Sequence, residues 1–438
     1  MPKICFLGAG STVFAKNVLG DCIYTDEIKD MDIMLHDMDE KRLEESRVLI
    51  NNIIKGSGRG DITLASSLDR KEALRGSQYV VNAVQVGGYD PCTITDFEIP
   101  KRYGLRQTIA DTLGIGGIFR ALRTIPVMKA FAEDMEEVCP RALLLNYTNP
   151  MAMLTGYMQR HTAIQTIGLC HSVQDCAARL LKDVDMTEYV DKCKWEIAGI
   201  NHQAWLLSIK DLEGNDLYPE IKRRARSGEM NAFKKTDLVR LDMMQKFGYY
   251  ITESSEHCSE YTPWYIKSKY PELIERFNIP LDEYPRRCVE QIEKWGETQK
   301  ELLGDKKIEH KKTHEFASYI IKAMETDTPF RVHGNVINTG LITNLPQNAC
   351  VEVPCLIDRN GINPCYVGGL PEQCAAINRT NINVQLLTIE AASSLKKEAI
   401  YMAAMLDPHT AAELSMDDII SMCDALIKAH GEWLPQYW

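Results

Sequence analysis

The first half of the chain alternates short apolar runs with longer amphipathic stretches. Apolar runs of strand length lie at residues 4–7, 33–36, 62–65, 79–84, 142–145 and 166–169. The residues from Asp39 to Gly56 instead repeat their apolar positions with a helical period. This alternation predicts an α/β fold, with a Rossmann-like, doubly wound parallel sheet covered by helices on both faces. Because the carboxyl ends of parallel strands share one edge, we expect the functional residues there.

The pattern changes at two places along the chain. Residues 87–117 are rich in Gly and Thr, which predicts a long functional loop or lid. After about residue 195 the pattern predicts a strand over 195–209, short strands over 330–356, and helices over 238–249, 281–301 and 383–405. We therefore expect two domains, 1–194 and 195–438, the second a mixed α/β cap over the sheet edge.

Composition excludes several classes of function. The chain has 438 residues and a formal net charge of −11, so it lacks the basic surface that nucleic-acid binding needs. Its 14 cysteines form no C-x-x-C pair, which argues against a zinc ribbon and favours buried thiols in a reducing compartment. No signal-peptide core or membrane-spanning run is present, so we expect a cytoplasmic protein without a membrane partner.

The turn after the first strand has the form of a dinucleotide site. Gly8 and Gly10 follow the strand and open a helix, so the backbone can approach a pyrophosphate at the helix N-terminus. Ser11 or Thr12 can cap that helix. Val13 replaces the third glycine of the usual fingerprint, which leaves the motif weak by itself.

Polar residues at other strand ends fit the same cofactor. Asp37 closes the second strand and can bind both ribose hydroxyls, which favours NAD over NADP; the alternative is a surface aspartate. Asn82 and Gln85 end the fourth strand, where the chain can pass under the nicotinamide-side ribose. Asn149 ends the fifth and can bind a sugar hydroxyl or the carboxamide, or form a simple turn. These residues make 1–194 the expected NAD-binding domain.

Two strand ends carry candidate metal ligands. Taken alone, Cys170 would be interpreted as a buried thiol and His202 as a core histidine. Both fall at the predicted functional edge, beside polar His171 and Asn201. A sulfur and a nitrogen ligand can hold a divalent transition metal and leave positions open for substrate.

Residues 252–264 are dense in acid, hydroxyl and aromatic groups. Tyr261 within them is a candidate general base if a nearby metal lowers its pKa from about 10. The alternative is a tyrosine that packs on Trp264.

Taken together, the motifs resemble those of glycoside hydrolase family four, the NAD- and manganese-dependent glycosidases, over nearly the whole chain. The motifs are FLGAGSTVF, GGYDPCTITDFE, QTIADTLG, GGIFRALRTIP, NYTNPMAM, GLCHSVQ, AGINH, GYYITESSEHCSEYTPW, LDEYPRRCVEQ, NLPQNACVEVPC, NINVQ and DPHTAA. The resemblance implies that Cys170 and His202 bind the metal and that Asn149, Asn201 and Asp111 contact substrate. It aligns Tyr261 with the family's base.

The Cys-His-Ser-Val form is that of galactosidases and galacturonidases, whereas phosphosugar members have Asp or Asn after the cysteine. That position is His171 here, so the Asp that acts as the acid in relatives is absent, and the aglycone is protonated either by His171 or through water. The resemblance implies hydrolysis of α-galactosides. The steps are NAD-dependent oxidation at C3, removal of the C2 proton, loss of the aglycone, addition of water and re-reduction. It also implies a homodimer or homotetramer, with subunit contacts in 195–438.

Other functions stay open at this point. An α-galacturonidase or α-glucosidase of the same family fits the motifs. A lactate/malate dehydrogenase shares the expected architecture, but the nearest match to its catalytic histidine element, at 429–431, is misplaced. A nucleotide-binding regulator without catalysis would not need the paired metal ligands.

Overall fold

The computed structural model describes residues 2–227, 236–302, 307–313 and 315–438. The strands of the described residues are Lys3–Leu7 (β1), Met31–His36 (β2), Ile62–Ser67 (β3), Tyr79–Asn82 (β4), Leu143–Asn146 (β5), Thr166–Gly168 (β6), Cys193–Ile200 (β7), Gln203–Asp211 (β8), Tyr250–Ile251 (β9), Phe330–Ile337 (β10), Cys350–Asp358 (β11) and Gly361–Pro364 (β12). They form one sheet in the order β3-β2-β1-β4-β5-β6-β10-β11-β7-β8-β9, with β12 paired to β11.

Helices cover both faces of this sheet. The α-helices of the described residues are Thr12–Ile23 (α1), Glu40–Ser57 (α2), Arg70–Leu74 (α3), Ile94–Arg102 (α4), Gly114–Val138 (α5), Met151–His161 (α6), Ser172–Asp183 (α7), Tyr218–Ser227 (α8), Leu238–Phe247 (α9), Ser255–Glu260 (α10), Glu272–Arg276 (α11), Glu283–Leu302 (α12), Phe316–Thr326 (α13), Glu372–Ser394 (α14), Lys397–Leu406 (α15), Pro408–Glu413 (α16) and Met416–His430 (α17). None of them combines the length and the apolar character that crossing a membrane requires.

The first six strands confirm the predicted parallel sheet. They pair in parallel in the order 3-2-1-4-5-6, the arrangement of a dinucleotide-binding fold. Successive residues of β1 pack into two different cores: Ile4 and Phe6 into one, Cys5 and Leu7 into the other. A strand buried on both faces needs a continuous apolar run, and this is why six short runs predicted the sheet.

The second half also extends the sheet, which the prediction of a mixed α/β cap over the sheet edge did not include. Strand β10 pairs with β6 at Asn335 and Gly168, and β11 pairs with β7 at Glu352 and Gly199. Both pairings are antiparallel and very short. The sheet therefore continues sideways from β6 to β10 through the last residue of β6. This pairing lies at the edge where the functional residues were predicted.

Three predicted elements differ in the structure. The strand over 195–209 is two strands, β7 and β8, which reverse at residues 201–202. The segment 87–117 is not one long loop, because it contains α4, whose Phe97 and Ile99 are buried, and the first turn of α5. The helix over 383–405 is two helices, α14 and α15, separated by Leu395 in a left-handed conformation (φ 58°). The helices expected over 238–249 and 281–301 are present as α9 and α12.

Candidate active site

A cleft of about 320 Å³ opens where β5, β6 and the β7–β8 turn end. It brings together residues from six separate parts of the chain. They are Phe14, Asp111, Tyr147, Asn149, Met151, Leu169, Cys170, His171, Ser172, His202, Glu253 and His257. Five of the site residues predicted from the sequence therefore share one cavity.

Three potential metal ligands meet at this cleft. One ligand atom each of Cys170, His202 and Glu253 lies within 4.8 Å of the others. Nε2 of His202 is 3.5 Å from a carboxylate oxygen of Glu253. A thiolate, an imidazole and a carboxylate together form a donor set that suits a divalent transition metal. The residues present thus fit the metal that the sequence predicted.

The backbone is strained where these side chains enter the cleft. His202 (φ 61°) and Glu253 (φ 68°) adopt left-handed conformations, as does Ala110 (φ 54°), which precedes Asp111. Such conformations cost a non-glycine residue roughly 1–3 kcal/mol and persist where the surrounding structure enforces them. Their presence at three entry points marks the cleft as the functional region.

Tyr261 lies behind His202. Its hydroxyl is 3.2 Å from Nδ1 of His202, which leaves Nε2 of that ring to face Cys170 and Glu253. A partner on the second ring nitrogen is typical of metal-binding histidines because it fixes the tautomer. Tyr261 is fully buried. Burial, together with the charges of Asp111 and Glu260, raises its pKa well above the usual value.

The protonation of His202 also points to a cation site. Burial lowers its pKa, but the interactions with Cys170 and with the carboxylates of Glu253 and Asp111 outweigh burial and raise the pKa to about 10. Without a metal, this imidazole therefore holds a proton beside those carboxylates. A divalent cation neutralises the same charges and takes the place of that proton.

His257 joins the metal cluster to the predicted substrate residues. Its Nδ1 is 3.6 Å from Glu253, and its Nε2 is 3.5 Å from Asp111. The amide of Asn149 donates to the other oxygen of Asp111 at 3.1 Å. Burial raises the pKa of Asp111, but His257, Arg120 and His202 outweigh it and hold the pKa well below its ordinary value. Asp111 is therefore an ionised hydrogen-bond acceptor in the cleft.

Glu260 holds the segment that carries Asp111. Its buried carboxylate accepts hydrogen bonds from the backbone N–H groups of Thr108, Ile109 and Ala110 at 2.8–3.3 Å. These three N–H groups hold residues 108–110 against α10, which contains Glu260. The left-handed Ala110 then directs the chain to place Asp111 in the cleft.

The predicted nucleotide turn lies at the same sheet edge. Gly8 (φ 84°) packs so closely on the segment directly after β4 that a Cβ would stand 2.9 Å from the carbonyl group of Ala83. The carboxylate of Asp37 accepts the N–H groups of Gly10 (2.6 Å) and Asp39 (3.0 Å). A Cβ on Gly10 would lie 2.7 Å from that carboxylate. Asp37 thus closes the turn.

The other predicted cofactor residues have different surroundings. Ser11 precedes α1 but makes no capping hydrogen bond, so the predicted cap is not formed there. Thr12 is buried and accepts a hydrogen bond from Ser46. Asn82 is fully buried and donates to Asn146, whereas Gln85 is exposed. Contact of these four side chains with a cofactor stays a prediction.

Two further predicted residues flank the metal cluster. His171 lines the cleft, and its Nε2 is 2.7 Å from the carboxylate of Glu315, whose hydrogen bond raises the pKa of the ring. Asn201 is fully buried in the turn before His202. Its contact with substrate stays a prediction.

Sequence reasoning missed Glu253, His257, Glu260 and Glu315. The first three belong to the acid-rich stretch over 252–264, and the spacing of four residues between Glu253 and His257 was the available signal. Glu315 has no such signal, because its partner His171 lies 144 residues away.

Comparison with known proteins assigns the family. Residues 3–186 match the model of family 4 glycosyl hydrolases, and residues 197–410 match the model of the family's C-terminal domain. The chain is 60% identical to an alpha-galactosidase of Bacillus subtilis, with 100% of both chains covered. It is 34% identical to an alpha-galactosidase of Rhizobium meliloti, covering 99% of this chain and 89% of that one.

A solved structure extends the likeness to the fold. The 6-phospho-alpha-glucosidase from gut microorganisms, in complex with NAD and Mn²⁺, matches with a TM-score of 0.81 at 19% identity, and all of both chains is covered. The resemblance stated from the motifs is confirmed: this chain belongs to family 4 of the glycosyl hydrolases.

Proposed function

We propose that this protein hydrolyses α-galactosides with NAD and a divalent metal, Mn²⁺, as cofactors. One observation carries the proposal. The cluster of Cys170, His202 and Glu253 shares its cleft with Phe14, which lies in the first turn of α1, directly after the nucleotide turn. A metal and a nicotinamide would therefore reach the same substrate.

The bound cofactors supply a hydride acceptor and a Lewis acid that makes the hydrogen on C2 of the sugar acidic. The chain's own residues bind and move protons around that centre. Asp111 accepts hydrogen bonds from sugar hydroxyls, and the amide of Asn149 donates hydrogen bonds to them. His257 holds Asp111 in place. His171 donates a proton to the departing aglycone. Tyr261 contacts His202 from behind the cleft and is the base for the C2 proton if the bound cation lowers the pKa that burial raises.

The charges of the cleft favour a neutral sugar. Among the described residues that line it, Asp111 and Glu253 are carboxylates, and there is neither lysine nor arginine. A carboxylate or phosphate on the substrate would meet like charges there, without the lysine or arginine side chain that usually binds such a group. This favours an α-galactoside over an α-galacturonide or a phosphorylated glycoside.

The wider setting of the enzyme is part of the same proposal. We expect a cytoplasmic homodimer or homotetramer, with the NAD-binding domain over 1–194 and the substrate and subunit contacts in 195–438. The acidic net charge of −11 agrees with a small-molecule substrate and no nucleic-acid partner.

A substrate panel tests the proposal. The 4-nitrophenyl α-galactoside, α-galacturonide, α-glucoside and 6-phospho-α-glucoside are assayed with NAD, Mn²⁺ and a thiol reductant. We expect the α-galactoside to have the highest kcat/KM, with no net NADH. Fastest turnover of the galacturonide would assign the alternative specificity. A 2-hydroxy acid is assayed with NAD in parallel, and stoichiometric formation of NADH from it would show that the enzyme is a dehydrogenase.

A further inference from the structure

His171 is held by a buried carboxylate from a distant segment. Its Nε2–H donates to Glu315 at 2.7 Å. The ring is a neighbour of the rings of Tyr147 and Phe316, with centroid distances of 6.2 Å to each and interplanar angles of 30° and 14°. The imidazole is 45% exposed at the cleft, whereas the side chain of Glu315 is only 8% exposed. The aromatic rings restrict the ring plane, and the carboxylate restricts rotation within that plane.

Glu315 is itself fixed to the nucleotide-binding half of the molecule. Its backbone N–H donates to the carboxylate of Asp21, a fully buried residue of α1, at 3.3 Å. Asp21 also accepts the N–H and the hydroxyl of Thr313, both at 2.7 Å, and lies 2.7 Å from Nε2 of His310. We call Asp21, His310, Thr313 and the backbone of Glu315 the α1 latch. It determines where the Glu315 side chain stands.

A purely structural ion pair would explain the contact less well. This buried carboxylate holds a ring that is half exposed and lines the cleft, where a substrate would meet it. A catalytic histidine oriented by a carboxylate on its far nitrogen is a recurring arrangement in acid–base catalysis. Because Glu315 engages Nε2, Nδ1 is the nitrogen available to a leaving group.

We propose that Glu315 is a positioning residue that fixes the ring of His171 so that Nδ1 faces the glycosidic oxygen of the departing aglycone. The inference rests on the proposed function, in which His171 protonates that oxygen. The proton on Nδ1 passes to the oxygen as the C1–O bond breaks, and the electron pair of that bond stays with the aglycone. The ring keeps its Nε2 proton, bound to Glu315.

Leaving-group dependence tests this role. Glu315→Gln keeps the size of the side chain and removes its charge. Kcat/KM is measured with melibiose, whose sugar leaving group needs protonation, and with 4-nitrophenyl α-galactoside, whose leaving group does not. We expect Glu315→Gln to lower the value for melibiose at least about tenfold more than the value for the nitrophenyl substrate. Glu315→Asp, which restores the charge, should recover part of the loss.

Two further variants separate the possible results. His171→Ala should show the same selectivity to a larger degree, and the double variant should lose no more than His171→Ala alone, because both changes remove one function. Glu325→Gln is the matched control: this exposed carboxylate binds the hydroxyl of Tyr79, away from the cleft, and its loss should leave both substrates unaffected.

The outcomes separate this inference from the proposed function. If His171→Ala discriminates between the substrates and Glu315→Gln does not, the positioning role is wrong while the acid assignment stands. Equal losses of Glu315→Gln on both substrates, or additive losses in the double variant, would likewise overturn it. If His171→Ala does not discriminate, the acid assignment falls, and the role of Glu315 falls with it.

Discussion

Replacing Gly20 with alanine should destabilise the protein, although the same change in the middle of a helix normally stabilises. Alanine is favoured over glycine in a helix by about 1 kcal/mol. Gly20 lies within α1, and a Cβ there would stand 2.6 Å from two ring atoms of His310. That ring cannot simply move aside, because its side chain is 1% exposed and bound to Asp21.

The magnitude follows from these contacts. Overpacking of a buried site costs about 1–3 kcal/mol. A displaced His310 also weakens a buried hydrogen bond to a carboxylate, worth about 1.5–3 kcal/mol. After the gain in helix propensity, we expect a net loss of about 1–4 kcal/mol. With an unfolding entropy of about 2.1 cal/mol/K per residue over 438 residues, each kcal/mol shifts the Tm by about 1 °C.

Differential scanning calorimetry checks the sign against a matched control. Gly296 lies in helix α12 and is exposed, and no atom of the described residues lies within 4 Å of a Cβ added there. Gly296→Ala should therefore raise the Tm by up to about 1 °C, whereas Gly20→Ala should lower it by about 1–4 °C. A higher Tm for both variants would refute the packing of His310 on α1, and with it the α1 latch.

Three further predictions concern the cofactors and the thiol. Cys170→Ser should lower kcat at least tenfold, which means a barrier raised by ~1.4 kcal/mol or more, and should leave the NAD affinity measured by titration nearly unchanged. Its control, Cys193→Ser, should keep full activity, and a chelator should cause the same loss as Cys170→Ser until manganese is restored. Asp37→Ala should weaken NAD binding and reduce discrimination against NADP, because the carboxylate repels the 2′-phosphate; an unchanged ratio of the two dissociation constants would remove Asp37 from the site. Peroxide should inactivate the enzyme and a thiol reductant should restore it, since an accessible thiolate ligand oxidises readily; resistance to both would count against Cys170.

The sheet and part of the cleft could be predicted because parallel strands order their own ends. Each apolar run fixed a strand, and the strand ends then placed Asn149, Cys170 and His171 at one edge. His202 joined them through a two-residue turn that the continuous apolar pattern over 195–209 concealed. Cys170 and His202 were correctly predicted to be neighbours, although the two-residue turn that positions His202 was not predicted.

Residues that reach the cleft from outside the parallel sheet could not be predicted in the same way. Glu253 enters through a strained backbone conformation after a two-residue strand, which leaves no periodic signal. Glu315 depends on the α1 latch, whose hydrogen bonds span 289–294 residues. Only tertiary packing brings Glu315 to His171, so neither local propensity nor spacing in the sequence carries that information.

The hydrogen on C2 of the sugar offers the most direct test of the proposed reaction. A glycosidase with two catalytic carboxylates never breaks that C–H bond, whereas removal of the C2 proton by Tyr261 breaks it once in each turnover. Hydrolysis of an α-galactoside in D₂O, followed by NMR of the released galactose, should show deuterium on C2. Galactose without deuterium on C2, from an enzyme that keeps full activity after complete removal of NAD, would contradict the proposed function.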